Sequence, residues 1–274
     1  MIRKIKTVIL ESNFFVALGV WSLVKLTGLL HNVAGDEFAI FSFFSTQLVY
    51  SFSILFSYGR TRGFDYIFCN TKLLVQKVIF VTSMFVLPYF IFQLNMDVLL
   101  MLIPISLVSF LYPVEIISEN DRGIALREFP YLKIFLIGIS WGVVTVVLPL
   151  MQAGENVSIS IFIETLVRAM FVVAITIPFD VRDVESDSPE MRTLPQRLGV
   201  TKAKVLAYAL LVANFAFYFL SGGFSAVTLF LIFISLFVTS ILIRYSSNER
   251  PKCYYVVFME LTSVLLFLST NYTN

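Results

Sequence analysis

Three aspartates with helical spacing are the residues of this chain best suited to carry chemistry. Asp180, Asp183 and Asp187 lie at i, i+3 and i+7, so they would project from one face of a helix that continued this far. Carboxylates gathered on one face need a compensating cation, and Mg²⁺ usually binds through one or two carboxylates together with substrate phosphates. The pattern predicts a Mg²⁺–diphosphate site. It also fits a solvated acidic loop that Arg182 and Arg192 neutralise.

The elements that must position these aspartates are membrane helices. Hydrophobic residues make up 58% of the 274 positions and charged residues only 14%, whereas a soluble domain carries about 25% charged residues. We therefore expect an all-α fold, a polytopic membrane helical bundle of about nine transmembrane helices, with residues 1–274 forming a single transmembrane domain. The apolar runs long enough to cross a bilayer lie near residues 12–30, 37–58, 74–92, 94–112, 131–151, 159–179, 203–221, 223–244 and 254–271.

Basic residues indicate the orientation of this bundle. With a cytoplasmic N-terminus, all Lys and Arg residues except Lys25 and Arg168 fall in cytoplasmic loops or at the inner ends of helices. The opposite loops 31–37 and 152–158 contain neither residue type. This asymmetry follows the positive-inside rule and predicts a multi-pass protein of the cytoplasmic membrane, surrounded by membrane lipid. The formal net charge of +2 gives no indication of nucleic-acid binding.

Four charged residues fall within the predicted spans and away from the span ends: Lys25, Glu164, Arg168 and Glu260. Glu164 and Arg168 are four residues apart, so they are expected to pair on one helix face. Lys25 lies at a similar depth and is expected to extend this network to Glu164. The favoured interpretation is a structural cluster, and the alternative is an ion or proton pathway in a transporter or channel.

The segment around the aspartates resembles the second aspartate-rich motif of the UbiA family of membrane prenyltransferases. The matching residues are Asp180-x-x-Asp183-x-x-x-Asp187, Arg192-Thr-Leu-Pro195 and Leu198-Gly199. The stretch 129–141 is similar to the start of that family's fifth helix, and the nine-helix layout agrees. The resemblance implies transfer of a prenyl group from a polyprenyl diphosphate to a small acceptor such as an aromatic ring. It assigns catalysis and Mg²⁺ binding to Asp180, Asp183 and Asp187.

The family's first motif, Asn-x-x-x-Asp-x-x-x-Asp, has no acidic counterpart here. Its positions fall on Ser51, Leu55 and Gly59 at the inner end of the second predicted span. Basic side chains are then expected to contact the diphosphate directly, because guanidinium groups bind phosphate oxygens in a bidentate way. The candidate substrate-binding residues are Arg60, Arg62, Lys72, Lys133 and Arg192.

These basic residues are equally well explained as markers of cytoplasmic loops and helix ends. The family also tends to place a Lys shortly after a Tyr-Pro pair at the end of its fourth helix, whereas Glu115 follows Tyr112-Pro113 here. The sequence thus predicts a Mg²⁺-dependent prenyltransferase. The alternative, which the missing first motif favours, is a non-catalytic UbiA-like membrane protein that binds a prenyl lipid or a partner protein.

Overall fold

A computed structural model describes residues 11–119, 122–126, 129 and 132–271. The described part is built almost entirely from helices. Its elements are α1 (Phe14–His31), α2 (Asp36–Arg62), α3 (Phe64–Cys69), α4 (Leu74–Ile91), α5 (Met96–Leu111), β1 (Glu115–Glu119), β2 (Arg122–Ala125), α6 (Leu132–Gly142), α7 (Leu148–Gln152), α8 (Ile159–Asp183), α9 (Leu194–Leu198), α10 (Val200–Ser221), α11 (Ala226–Arg244) and α12 (Leu261–Asn271).

Eight segments of the described chain are long and apolar enough to cross a membrane. Two of them contain a π-helical stretch: Leu132–Gln152 joins α6 and α7 through Val143–Val147, and the last span begins with Tyr254–Met259 before α12. The helix α5 is also apolar but shorter, at 16 residues. With α5 included, these segments match the nine predicted runs, and the predicted all-α membrane bundle is confirmed.

Close contact between α6 and α8 positions the ends of these two helices against each other. A Cβ atom at Gly142 would lie 2.8 Å from the carbonyl oxygen of Thr165, and one at Gly138 would lie 2.9 Å from Val173. Small residues at such positions let membrane helices approach closely. The first turn of α6 therefore lies beside the last turn of α8. We call this end of the bundle, which carries Asp180, the aspartate end.

A buried ionic network holds the other half of the bundle together. The guanidinium group of Arg168 donates to the carbonyl oxygen of Leu23 at 2.7 Å, to Thr27 Oγ1 at 3.2 Å and to Glu164 Oε1 at 3.4 Å. His31 Nε2 lies 2.7 Å from Glu164 Oε2. The predicted pairing of Glu164 with Arg168 is confirmed, and the network links α1 to α8.

The predicted extension of this network to Lys25 is wrong. Lys25 forms an ion pair with Asp36 instead. The connection of residues 32–35 is short, so the first residue of α2 returns to a position beside α1, within reach of the lysine. The second partner of Glu164 is consequently His31 rather than Lys25.

Candidate functional site

The aspartate end contains a lysine-bridged pair of carboxylates. Lys133 Nζ, in the first turn of α6, lies 2.7 Å from Oδ1 of Asp180 and 4.0 Å from Oδ2 of Asp187. Asp180 is buried, with 2% of its surface exposed. Oδ2 of Asp187 is also shielded from solvent and has no hydrogen-bond partner among the described residues. One cation thus faces two of the three predicted aspartates.

Asp183 does not join this pair. Both of its carboxylate oxygens accept hydrogen bonds from the neighbouring Arg182, at 2.7 and 2.6 Å. The Arg182 guanidinium also stacks over the rings of Phe179 and Tyr255, at 5.5 and 5.2 Å. The sequence allowed local neutralisation by Arg182, and the hydrogen bonds of its guanidinium group reach one aspartate of the three.

The helix does not continue through all three aspartates. The last residue of α8 is Asp183, and Asp187 lies in the following turn. Asp187 still lies near Asp180 because its backbone N–H donates to the carbonyl oxygen of Asp183 at 2.8 Å, which prolongs the helical path by one turn. The one-face arrangement predicted from the spacing therefore holds for Asp180 and Asp187 through Lys133.

The segment 193–196, which follows the aspartates, holds the turn that contains Asp187 in place. Gln196 Oε1 accepts from the backbone N–H of Thr193 at 2.9 Å, and its Nε2 donates to the carbonyl oxygens of Asp187 and Ser188 at 3.1 and 3.3 Å. Pro195, beside it at the start of α9, is buried. The Thr-Leu-Pro-Gln segment thus has a structural role, since it holds Asp187 in place against α8.

The surroundings of Asp187 disfavour the ionised form of its carboxyl group. Partial burial raises the pKa of its carboxyl group above the usual value, and the nearby charges of Asp183 and Asp180 raise it further. Lys133 and Arg182 oppose this shift without cancelling it. A carboxylate in this position gains free energy from any additional cation.

The donor set fits a Mg²⁺ ion whose remaining ligands are phosphate oxygens. Within the described residues, no group of three or more His, Cys, Asp or Glu side chains could hold a metal by itself. Mg²⁺ usually binds through only one or two carboxylates, with phosphate and water oxygens completing its shell. The buried Oδ2 of Asp187, which accepts no hydrogen bond from any described residue, is suited to this role, and Asp180 contacts the same Lys133.

The positions of the family's first motif have become packing positions. Ser51 is fully buried, and Leu55 is nearly so, at 9% exposure. A Cβ atom at Gly59 would lie 2.7 Å from the Phe64 ring and 2.8 Å from the side chain of Ile67. Gly59 therefore allows α3 to fold back onto the end of α2, and an acidic side chain at this position would displace α3.

The predicted basic residues fall into three groups. Lys133 contacts the aspartates. Arg60 forms an ion pair with Glu115, and Arg62 donates to the Tyr66 hydroxyl at 3.1 Å while stacking over its ring. The side chains of Lys72 and Arg192 are exposed and contact no other described residue through a hydrogen bond or ion pair. Of these five predicted residues, only Lys133 contacts the aspartates within the described part of the chain.

Glu115 has a partner that the sequence did not indicate. It begins the antiparallel hairpin of β1 and β2, which follows α5, and its carboxylate pairs with Arg60 at the end of α2. The position where the family tends to carry a Lys thus holds an acid that neutralises Arg60. The pairing depends on where the hairpin lies relative to the end of α2, so no local sequence signal could indicate it.

Fold and site together define a polytopic helical membrane protein with a lysine-bridged acidic site at one end of its bundle. The family model described as the UbiA prenyltransferase family matches residues 73–264, well over half of the chain. The chain belongs to that family.

Solved structures of UbiA homologues share the fold. One from Archaeoglobus fulgidus bound to GPP and Mg²⁺ is 13% identical, with a TM-score of 0.60 over 97% of this chain and 98% of that chain. The same homologue bound to DMAPP and Mg²⁺ is 13% identical, with a TM-score of 0.58 over 95% and 97%. An apo homologue from Aeropyrum pernix K1 is 14% identical, with a TM-score of 0.58 over 96% of both chains. No curated protein matches the chain by sequence.

Proposed function

We propose that the chain is a Mg²⁺-dependent prenyltransferase that moves a polyprenyl group from its diphosphate to a small acceptor. The observation that carries the proposal is the arrangement of Asp187 and Asp180 around Lys133. In it, one carboxylate oxygen of Asp187 is buried and receives no hydrogen bond from the part of the chain that the structure describes. Membership in the family and the diphosphates bound by homologues of the same fold support the same reaction.

In this proposal, the side chains at the aspartate end have different roles in binding a diphosphate. Lys133 supplies a fixed positive charge beside the buried Asp180, and it can donate a further hydrogen bond to a phosphate oxygen. Asp187 and Asp180 would provide carboxylate oxygens for Mg²⁺, and a bound Mg²⁺ would supply positive charge to a departing diphosphate. Arg62, Lys72 and Arg192 are exposed and form an outer set that attracts the anionic substrate.

Location and orientation belong to the same proposal. The predicted positive-inside orientation places the aspartate end on the cytoplasmic face of the cell membrane, where a water-soluble diphosphate head group and a membrane-dissolved prenyl tail meet. The exposed apolar side chains of the spans, such as Phe85, Phe92 and Ile159, would face lipid.

The test is Mg²⁺-dependent release of inorganic diphosphate from a panel of polyprenyl diphosphates by the purified full chain. Asp187→Asn keeps the shape of the side chain and removes its charge, so release should fall at least about a hundredfold, as when a group that acts on the transition state is lost. The matched control is Glu185→Gln, an exposed acid in the same turn, which should keep wild-type release. Equal release by Asp187→Asn and wild type would refute the assignment.

A second candidate function follows from one specific observation. The first-motif positions Ser51, Leu55 and Gly59 are buried and packed, so metal ligands come from one half of the bundle only. A UbiA-like protein that binds a prenyl lipid or a partner protein without turnover would keep the fold and this packing. Prenyl diphosphate binding without any Mg²⁺-dependent release across the panel is the outcome that favours this candidate.

A further inference from the structure

Two basic side chains hold three successive carbonyl groups at the end of α11. Lys204 Nζ, in the first turns of α10, donates to the carbonyl oxygens of Arg244 and Ser246 at 2.9 and 2.7 Å. Arg250 Nε donates to the carbonyl oxygen of Tyr245, which lies between them, at 3.0 Å. Carbonyl groups at a helix C-terminus lack intrahelical partners, so both cations cap α11. They thereby lie beside Arg244, the last residue of this helix.

These three residues, which we call the basic cluster, keep donors that capping does not use. Lys204 has a third N–H group. The Nη atoms of Arg250 donate to no described residue, and the exposed side chain of Arg244 forms no hydrogen bond or ion pair within the described part of the chain. Glu249 is the only acid among residues 244–253. Clustered positive charge with free N–H donors is suited to a phosphate group.

Aromatic rings fix the position of Arg250. Its guanidinium group stacks over the rings of Tyr245 and Tyr254, at 5.9 and 5.6 Å from their centroids. The Tyr254 hydroxyl donates to the carbonyl oxygen of Leu242, so the last span is joined to the end of α11. A guanidinium held in this way loses little conformational entropy when it binds an anion.

Exposed apolar side chains of two neighbouring spans lead up to the basic cluster. Phe237 and Ile241 of α11 are exposed, and the carbonyl oxygen of Ile241 accepts from the backbone N–H of Tyr245. Phe258 of the last span is also exposed, and its ring lies 6.4 Å from the ring of Tyr254. Because α11 packs against α12, both faces can contact one lipid molecule, with its head group at the basic cluster.

We propose that the basic cluster binds the phosphate head group of an anionic phospholipid, whose acyl chains lie along Phe237, Ile241 and Phe258. Tyrosine rings and basic side chains at the end of a span are typical of the membrane–water interface, where such head groups lie. The competing explanation is that these basic residues only mark one side of the membrane. Diffuse attraction of that kind would not depend on which exposed basic residue is removed. The inference is independent of the proposed prenyl transfer.

Thermal unfolding of the delipidated full chain in a neutral detergent tests the proposal. Dioleoylphosphatidylglycerol and dioleoylphosphatidylcholine have the same acyl chains, but only the first carries a net negative charge. A ligand of the folded state raises its stability with increasing concentration, so each titration gives an apparent dissociation constant. The wild type should bind phosphatidylglycerol at least about tenfold more tightly. Arg244→Gln should weaken this binding about fivefold, the effect of one basic residue beside an anionic head group, and leave phosphatidylcholine binding unchanged.

Two variants serve as a control and as a second test. Lys72→Gln removes an exposed positive charge that lies before α4, and it should bind phosphatidylglycerol like the wild type. Arg250→Gln should weaken binding at least as much as Arg244→Gln, because Arg250 is already fixed by its tyrosines. Arg244→Gln breaks no described side-chain contact, so it keeps the test available if Arg250→Gln does not fold. Equal binding of the two lipids by the wild type, or equal losses in Arg244→Gln and Lys72→Gln, would overturn the proposal.

Two further arms identify the source of the bound phosphate and its place. Glycerol phosphate has the head group without acyl chains and should not stabilise the protein at the same concentration. If it stabilises as much as the lipid does, the site binds a free anion and the lipid assignment is wrong. Lys133→Met should keep the preference for phosphatidylglycerol. Loss of the preference in this variant would place the head group at the aspartates and overturn a separate lipid site.

Discussion

Lys133 Nζ lies 2.7 Å from Oδ1 of Asp180, so a side chain of α6 supplies a permanent cation to the acidic end of α8. The two helices meet there because Gly138 and Gly142 remove side-chain bulk along their interface. The resemblance to the family implies metal clamps from two opposite acidic motifs, and one of these is absent here. Lys133 provides positive charge that does not depend on that motif.

Replacing Lys133 with Met should weaken prenyl diphosphate binding and destabilise the protein. The change leaves Asp180 buried without a cation, and removing one partner of a buried ion pair costs about 3–5 kcal/mol. Lys133 retains some exposure, with 22% of its side chain accessible, so the lower end of this range applies. Titration of a prenyl diphosphate and thermal unfolding in detergent measure the two effects.

Lys72→Met is the matched control for the stability effect of Lys133→Met, because the Lys72 side chain is exposed and contacts neither aspartate. Lys133→Arg should recover part of the affinity, since it keeps the charge but changes the geometry. Equal thermal stability of Lys133→Met and Lys72→Met would mean that the Asp180 contact does not stabilise the fold.

Gly59→Ala should destabilise the protein through a steric conflict with α3. The added Cβ would lie 2.7 Å from the Phe64 ring, and overpacking of this kind costs about 1–3 kcal/mol. Gly35→Ala is the control, because nothing lies within 4 Å of a Cβ at that position. A double-mutant cycle with Phe64→Ala should show that the penalty depends on the Phe64 ring; additive effects would argue against this packing.

The sequence was sufficient for the spans, and the helical spacing correctly indicated that Asp180 and Asp187 lie close together, where they share Lys133. Hydropathy is a local property, so the nine runs could be predicted without knowledge of packing. Pairing depends on tertiary contacts. Asp183 shares the spacing of Asp180 and Asp187, but its own neighbour Arg182 occupies both oxygens. No spacing rule distinguishes a carboxylate that faces a neighbouring helix from one that folds back on its own chain.

Lys133 could not be singled out from the sequence either, because its pairing also depends on tertiary contacts. It was one of five basic residues with equal standing, and only the close approach of α6 and α8 brings it to Asp180. Arg60 looked like an equally good diphosphate ligand, but the hairpin that follows α5 brings Glu115 to it. The ion pair joins the end of α2 to a hairpin that is distant from it in the sequence. Hydropathy carries no information about such contacts.

Arg168→Lys should destabilise the bundle although it keeps the charge. The Arg168 guanidinium satisfies three acceptors at once, on Leu23, Thr27 and Glu164, and an ammonium group cannot reproduce this planar geometry. We expect a loss of about 2–4 kcal/mol, between the cost of one lost hydrogen bond to a charged group and that of a broken buried ion pair. Thermal unfolding in detergent measures it.

Arg192→Lys is the control for Arg168→Lys, since Arg192 is exposed. The structural interpretation of the network also predicts that folded Arg168→Lys protein, assayed below its unfolding temperature, retains its affinity for prenyl diphosphate. A variant that folds normally but conducts or transports ions differently in proteoliposomes would instead support the transporter or channel interpretation of these intramembrane charges.

Affinity for the Mg²⁺–diphosphate complex should fall with decreasing pH earlier than an ordinary aspartate would cause. Burial and the neighbouring carboxylates raise the pKa of Asp187, and only the ionised form binds a cation. As the pH falls through this raised pKa, the binding site is lost. The fold gains stability from Asp187 over the same range, because a carboxyl whose pKa is higher in the folded state binds its proton more tightly there.

The measurement is the dissociation constant of a prenyl diphosphate with saturating Mg²⁺ as a function of pH, for wild type and Asp187→Asn. The wild type should show an acid limb that is smaller in Asp187→Asn, which binds weakly at every pH and keeps only Asp180 as an ionisable ligand. The groups that shape this limb are the partners of Asp187, namely Asp183, Asp180, Lys133 and Arg182. Glu185→Gln should keep the wild-type profile, and an unchanged acid limb in Asp187→Asn would assign the titration to another residue.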